Sequence, residues 1–482
     1  MTPDLTPGMT PGQIRTHLQA LQARDLPSHG GRTLAYVYDS GLAEADAIGR
    51  EALTMFADSN GLDPTAFPSL LAMENDLVAM AGDLLDAPPG LVGSVTSGGT
   101  ESVLLAVLAA RDGAGAPPGA SSMVLPTTAH AAFHKAAHYF GVETILVDVD
   151  PQTFRADPGA MAAAVRDDTV LVVGSAPSYA HGVIDPIAAL GALAAERGIR
   201  CHVDACIGGW VLPHLDHLHG APPWTFAAPG VTSVSVDLHK YAYTPKGVSL
   251  LLHRDSTLRR GHFFASAAWP GYTMLNSTMQ STKSGGPLAA AWAVTRAIGT
   301  DGYAALARTA REATLAIARG VDGIPGLRVV VEPDSTLIAL ATDTSCDVFT
   351  IADEMLARGW YVQPQMSFRG MPPTLHLTLS AATAPSVPDF LAALGESVAA
   401  AQAAGPASVN PALAGAAASL DPATLTERDF DGLLALAGLA GGDGSLALPE
   451  RMAPVNALLD LAPPDLREAM LLAFLGRLSR PS

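Results

Sequence analysis

The chain has 482 residues, 49% hydrophobic and only 15% charged, enough apolar content for one large buried core or two moderate ones. A formal net charge of -18 and a pI of about 5.1 argue against nucleic acid or an anionic membrane as the main partner, but leave room for a local basic pocket. Cys201, Cys206 and Cys346 are too few for a disulfide framework and fit a reducing compartment, the first two reading as core residues.

The start, MTPDLTPGMTPGQ, lacks a basic end followed by an apolar run, so no signal peptide is expected. Met1 to about Gly31 reads as a polar arm with one short helical piece, and Arg32–Tyr38 as a short aromatic segment. Helical spacing covers Glu44–Asn60, and an amphipathic helix covers Ser69–Leu85 after the loop Asp63–Pro68. Gly93 to Ser102, GSVTSGGTES, then runs straight into the apolar helical stretch VLLAVLAARD. Consecutive glycines before a helix expose backbone N–H groups at its positive end. Ser97, Thr100 and Ser102 add hydroxyls, so Ser97, Gly98, Gly99 and Thr100 form a candidate phosphate turn. A capped turn without a ligand is the competing reading.

Met123–Pro126 reads as a strand, and His130 follows it where a ring could stack on a flat cofactor. Val142–Val149, Val170–Ala176 and Arg200–Ala205 are further strands, with a helix over Ile187–Arg197. Alternating strands and helices with short loops predict a mostly parallel sheet covered on both faces. CHVDA ends on Asp204, a carboxylate that is costly in apolar surroundings unless it meets a cation. A protonated pyridine nitrogen is such a partner in pyridoxal phosphate sites, which also need a lysine for the aldehyde. The segment PHLDHLH (213–219) lacks the spacing of a helical metal-ligand pair, so no metal is expected.

The stretch TSVSVDLHKYAYTPKG (232–247) opens as a buried alternating strand and delivers Asp237, His239 and Lys240 at its end, where open α/β sheets place ligands. A desolvated lysine with a lowered pKa there suits Schiff-base chemistry; a simple ion pair with Asp237 is the alternative. Beyond Leu288 helices (288–299, 303–317, 348–357) and strands (327–331, 336–341, 360–364, 374–379) predict a smaller C-terminal α/β domain. The tail beyond Gly405 is Ala/Pro-rich, then helical from about Leu425. Ser397–Leu420, mostly alanine and broken by Pro406 and Pro411, is a poor membrane span. The expected organisation is an arm and helical segment (1–75), a large cofactor domain (76–290) and a small domain with its tail (291–482).

Taken together, GSVTSGGTESVLLAVLAARD, HAAFHKAAHYFGVE, VGSAPSYAHGVIDPI, CHVDACIGGWVLP and PGVTSVSVDLHKYAYTPKGVSLLLHRD resemble the sphingosine-1-phosphate lyase family across roughly Phe67–Gly286. The resemblance implies the α/β fold-type-I PLP-dependent transferase fold, with pyridoxal 5'-phosphate as cofactor. It implies Lys240 as Schiff-base lysine, Asp204 as pyridinium partner, His130 as ring-stacking residue and Ser97–Thr100 around the phosphate, with His239 beside the lysine. Tyr179 and Lys246 match positions that assist catalysis or hold substrate. Tyr38 matches a tyrosine that reaches an active site across a dimer interface, so a homodimer with shared sites is expected. Asp63 stands where the family shows histidine, and Lys283 where it shows arginine; both substitutions bear on the substrate's phosphate.

The expected activity is therefore retro-aldol cleavage of a phosphorylated long-chain 2-amino-3-hydroxy compound by a soluble cytoplasmic enzyme. The competing readings are an amino-acid decarboxylase, with Arg369 as its one candidate carboxylate anchor, and a non-catalytic binding protein. The intact Lys240 and Asp204 argue against the last.

Overall fold

The segment TVLVVGS (169–175) is apolar, β-branched and buried at every position, which suits only a strand covered on both faces. The structure, a computed structural model, describes residues 8–272, 274–436 and 449–479; the first seven residues of the expected arm and part of the expected tail helix lie outside them. Strands β1 (Val92–Thr96), β2 (Ser122–Pro126), β3 (Glu143–Val147), β4 (Thr169–Ser175), β5 (Arg200–Asp204), β6 (Val231–Asp237) and β7 (Ser249–His253) form one sheet in the order β1-β7-β6-β5-β4-β2-β3. All pairs are parallel except that β7 runs antiparallel to both of its neighbours. The expected mostly parallel sheet is thus present.

Helices α1 (Pro11–Gln22), α2 (Ala43–Met55), α3 (Pro68–Leu84), α4 (Gly99–Gly113), α5 (Ala132–Phe140), α6 (Pro158–Ala164), α7 (Ile187–Arg197) and α8 (Ser256–Arg259) accompany this sheet. The principal core joins the strand side chains Val172, Val203, Val234 and Leu250 to Leu77 and Ala81 of α3 and to Ile187 and Leu190 of α7. Among the elements that escaped the sequence reading is the hairpin of β8 (Phe264–Ser266) and β9 (Met274–Asn276), whose partly or fully exposed strands carry no apolar alternation.

The two helices expected after Leu288 are present within the run α9 (Gly285–Val321), which Gly299, non-helical at φ 64° and ψ 174°, kinks into two. It leads into a second antiparallel sheet of β10 (Leu327–Val329), β11 (Leu337–Thr342), β12 (Gln363–Gln365) and β13 (Thr374–Thr378), ordered β10-β11-β13-β12. Helices α10 (Val348–Ala357) and α11 (Val387–Ala404) cover it, and its core includes Trp360, Phe390, Leu340 and Leu377. The aromatic segment 32–38 is not a strand of its own. Thr33 bridges to Tyr361, and the Leu34 amide donates to the Tyr361 carbonyl at 2.9 Å, so the N-terminal arm is tied to the small sheet.

Helices α12 (Pro411–Ala418), α13 (Glu427–Leu436), α14 (Ala453–Leu461) and α15 (Pro464–Leu478) bury Leu413, Phe430, Leu434, Leu458 and Met470 against one another. The tail therefore has a core separate from that of the small domain. No helix among the described residues is long and apolar enough to cross a membrane.

Phe390 is fully buried and meets the Trp360 ring edge-on, with centroids 5.2 Å apart. Phe390→Ala is expected to cost about 3–5 kcal/mol of small-domain stability, read from urea unfolding followed by tryptophan fluorescence.

Candidate active site

The carboxyl ends of the parallel strands determine where chemistry can gather. Register sets Ser175 opposite Asp204, Asp204 opposite Ser235, and Asp237 opposite Ser249, so β4 and β5 end level and β6 runs two residues further, to Asp237, at the same edge. Alternation along β6 turns Val234 and Val236 into the core, and the chain leaves the sheet at Asp237 in a turn closed by the Lys240 amide on the Asp237 carbonyl at 3.3 Å. That turn aims Lys240 back over the sheet edge.

A cavity of about 390 Å³ opens there, lined by Ser97–Glu101, His130, Tyr179, Asp204, Cys206, Asp237, His239 and Lys240. Its mouth adds Tyr36, Tyr38, Lys246, Gln363 and Gln365. Eleven of the thirteen sequence-derived candidates, Tyr38 among them, thus face one space; Asp63 and Lys283 do not. Asp63 sits in its own exposed loop, where Oδ1 accepts from the Thr65 amide at 2.8 Å and the Thr65 hydroxyl at 2.6 Å. Lys283 pairs with Glu74 at 2.8 Å and lines neighbouring cavities beyond the Gly-rich turn. Arg369 pairs with Asp148 at 2.9 Å and is absent from the cavity walls.

Lys240 does not carry the lowered pKa expected of it. Burial by itself would lower it, but Asp237 at 2.9 Å, with further contributions from Tyr38, Cys206 and Asp204, holds it well above the ordinary lysine value. The depressed amine is Lys246. Desolvation first, then the charge of Lys240, brings it down to about 8. Its Nζ donates to the Tyr36 carbonyl at 2.8 Å and lies 5.1 Å from the centre of the Tyr38 ring. Tyr38 belongs to the same chain as the Lys240 it faces, so no second subunit is needed to bring it there. Burial raises its hydroxyl to about 12.

The Gly-rich turn differs in detail from the expectation. Glu101 takes both the Ser97 amide at 2.6 Å and the Ser97 hydroxyl at 2.8 Å. Ser102 is fully buried and bonds Thr96 at 2.7 Å and Ser249 at 2.9 Å. Those two hydroxyls are therefore structural. No side chain caps α4, which leaves the amides of its first turn facing the cavity. A Cβ on Gly99 would fall 2.7 Å from Asp237 Oδ2 and 2.9 Å from Cys206 Sγ, so the turn must be glycine there.

His130 is held by the Ala132 amide donating to its Nδ1 at 3.2 Å, and His239 turns Nδ1 to the Val248 carbonyl at 2.8 Å. Asp204 Oδ1 accepts from the Cys206 amide at 3.1 Å. Tyr179 stacks on His376, ring centres 4.0 Å apart and planes 18° apart; burial, the leading cause, raises the Tyr179 hydroxyl. His376 is fully buried, held to about 3 by desolvation, and so neutral. Sequence reading missed Glu101, Tyr36, Gln363, Gln365 and His376, and took Cys206, which lines the cavity, for a core residue. A histidine inside the apolar alternation LHLTLS was the one usable signal.

Pyridoxal phosphate presents an aldehyde, a ring nitrogen and a phosphate at the corners of one flat ring. This edge of the sheet offers a lysine, a buried aspartate on the next strand, and an open helix N-terminus cleared of side chains at Gly99. The residues fit the group, and the class is that of the fold-type-I pyridoxal phosphate enzymes. A family model described as the pyridoxal-dependent decarboxylase conserved domain matches residues 34–342, and a C-terminal helix-turn-helix model of pyridoxal-dependent enzymes matches 411–477. Sphingosine-1-phosphate lyase of Dictyostelium discoideum is 38% identical over 69% of this chain and 62% of its own length. The lyase of Oryza sativa is 36% identical over 80% of this chain and 72% of its own. A solved sphingosine-1-phosphate lyase from Burkholderia pseudomallei superposes with a TM-score of 0.77 at 35% identity, covering 83% of this chain and 92% of that one. The chain belongs to the sphingosine-1-phosphate lyase family, within the pyridoxal-dependent decarboxylase-like enzymes.

Gly99→Ala tests the cradle. The added methyl costs about 1–3 kcal/mol of packing strain. It should therefore weaken pyridoxal phosphate binding by about tenfold or more, measured by absorbance titration, with little change in the circular dichroism spectrum.

Proposed function

We infer that this protein is a pyridoxal-phosphate-dependent carbon–carbon lyase. Its substrate is a phosphorylated long-chain 2-amino-3-hydroxy compound, cleaved to a fatty aldehyde and phosphoethanolamine. The observation that carries the reading is Lys246, an amine at about 8 placed at the mouth of the Lys240 cavity. Retro-aldol cleavage needs a base for a hydroxyl proton, and an amine that titrates near neutrality suits the task.

Bound in the cavity, the cofactor supplies an electron-withdrawing ring that stabilises the electron pair left at C2. Lys240 would hold its aldehyde, Asp204 would keep a proton on its ring nitrogen, His130 would hold the ring, and the amides of Gly99 and Thr100 would hold its phosphate. Lys246 Nζ takes the proton from the 3-hydroxyl; the C2–C3 bond breaks, C3 leaves as the aldehyde carbon, and C2 takes a proton. Tyr179, its hydroxyl held protonated by burial and its ring fixed by His376, donates a hydrogen bond to the substrate.

A decarboxylase would need a cation for the substrate's carboxylate. The candidate Arg369 is committed to Asp148 on an exposed loop, which favours the lyase. We further propose that the enzyme is a cytoplasmic homodimer. Phe264, Trp269, Tyr272, Leu275 and Met279 are exposed on and around the β8–β9 hairpin, and Met279 is joined through its amide to Glu101 at the cavity wall. A second copy covering that hairpin would bury these apolar side chains.

Mass spectrometry after incubation of the loaded enzyme with sphingosine-1-phosphate should detect a fatty aldehyde and phosphoethanolamine. Carbon dioxide from an amino acid, without that cleavage, would overturn the lyase reading. Because Lys246 acts as a neutral base, kcat should rise with pH up to about 8 and level off above it. Lys246→Met should remove that limb and lower kcat by roughly 10²–10⁴-fold, while the absorbance of the lysine-linked cofactor persists.

A further inference from the structure

We propose that Asp237 is the internal acceptor of the proton that Lys240 must lose before its amine can attack an aldehyde, so that the two residues load the cofactor as one unit. An ammonium has no lone pair, and the base in direct contact with it is Asp237 Oδ2, at 2.9 Å. Asp204 is engaged elsewhere, with the Cys206 amide and, at 3.5 Å, the Ser235 hydroxyl. The two buried carboxylates therefore have separate duties.

The other groups facing the pair are poor acceptors. Tyr38 and the Cys206 thiol are both held protonated by burial, and the Nζ of Lys246 is turned to the Tyr36 and His239 carbonyls rather than to Lys240. His239 has Nδ1 committed to Val248 and reaches only the same oxygen of Asp237, at 3.7 Å. Desolvation by itself lowers the affinity of His239 for a proton.

Two further features point the same way. Asp237 is 3% exposed, and its Oδ1 has no hydrogen-bond partner among the described residues. Its carboxylate also lies against the first residue of α4, where the absent Cβ of Gly99 would touch both oxygens. An anionic phosphate arriving at that helix N-terminus sits beside an ionised carboxylate and raises its proton affinity. Transfer relieves both conflicts at once. One N–H bond on Nζ breaks, one O–H bond forms on Oδ2, and the electron pair stays on nitrogen. The charges +1 and −1 become two neutral groups; before the cofactor arrives the pair stays ionised, since burial alone would raise Asp237 but Lys240 and His239 hold it below its ordinary value, and the incoming phosphate is what tips the transfer.

The inference rests on Lys240 being the lysine that engages the cofactor. Lys240→Ala is the separate control: a persisting lysine-linked absorbance band would refute that assignment, whatever Asp237 does. For Asp237 itself, the full-length protein is stripped and reloaded with pyridoxal phosphate in calorimetric buffers of different ionisation enthalpy. Without Asp237 burial lowers the Lys240 amine, so the comparison is made at a pH low enough that the amine of Asp237→Asn is still protonated; there the variant should release about one proton more to solvent than the unaltered protein does, and over that range its affinity should gain about tenfold more per pH unit as pH rises. Equal proton counts for the two proteins would overturn the proposal. Should the variant fold poorly, infrared difference spectra of the unaltered protein decide the matter. Loading should produce a protonated-carboxyl band that survives in Asp204→Asn, and absence of that band would be equally fatal.

Discussion

The site depends on carboxylates held in a dry place. Asp204 and Asp237 end adjacent parallel strands and are both almost fully buried, where an unpaired negative charge is costly. Each needs a positive partner, and among the described residues the ammonium in direct contact is that of Lys240, which pairs with Asp237 from three residues further along a turn. Asp204 is left facing the cavity with one oxygen tied to backbone, a demand that a protonated ring nitrogen meets. The ion pair also explains why α4 opens on Gly99, because the Asp237 carboxylate occupies the space a side chain would take there.

Around this pair the small domain acts as a clamp. Tyr241, next to the lysine, donates to the Leu379 carbonyl at 2.8 Å and receives the Thr336 hydroxyl, so the lysine turn is bolted to the second sheet. His376 of β13 stacks on Tyr179 from the loop after β4, and Gln363 and Gln365 of β12 form the outer lip. At that lip Tyr36 adopts φ 64°, an uncommon conformation for a tyrosine, and its carbonyl holds Lys246. The pKa of Lys246 is thus a property of an interface between arm, large domain and small sheet.

The C-terminal helices dock onto the same lip. Asp460 of α14 accepts from the Ser367 amide at 2.6 Å, just beyond β12, and Arg467 donates to the Leu459 carbonyl at 2.7 Å, stiffening that contact. The helix-turn-helix model that matches this unit does not make it a nucleic-acid reader on charge. Arg428, Arg451, Arg467 and Arg477 are outweighed by Asp421, Glu427, Asp429, Asp431, Glu450, Asp460, Asp465 and Glu468, which would repel a phosphate backbone.

Local sequence by itself determined the parallel sheet, the Gly-rich turn into α4, and the strand-end positions of Asp204 and Lys240. Strand periodicity, glycine runs and a charged residue closing an apolar strand are all features of a few neighbouring residues. The long alanine-rich stretch was harder to read, since alanine marks neither a buried nor an exposed face, and α11 was missed for that reason. Charge states were not legible at all. Lys240 was expected to be the depressed amine, and Lys246 was given a part in catalysis or substrate binding with no shift of its own; the depressed amine is Lys246, because a pKa is set by what surrounds a group in three dimensions. Likewise Tyr38 was assigned to a partner's site and lies in its own chain's, while Ser97 lost its hydroxyl to Glu101, four residues along a helix. Residue type and spacing name the chemistry a chain carries; which amine is charged, and which hydroxyl is free, follows only from packing and burial in the folded chain.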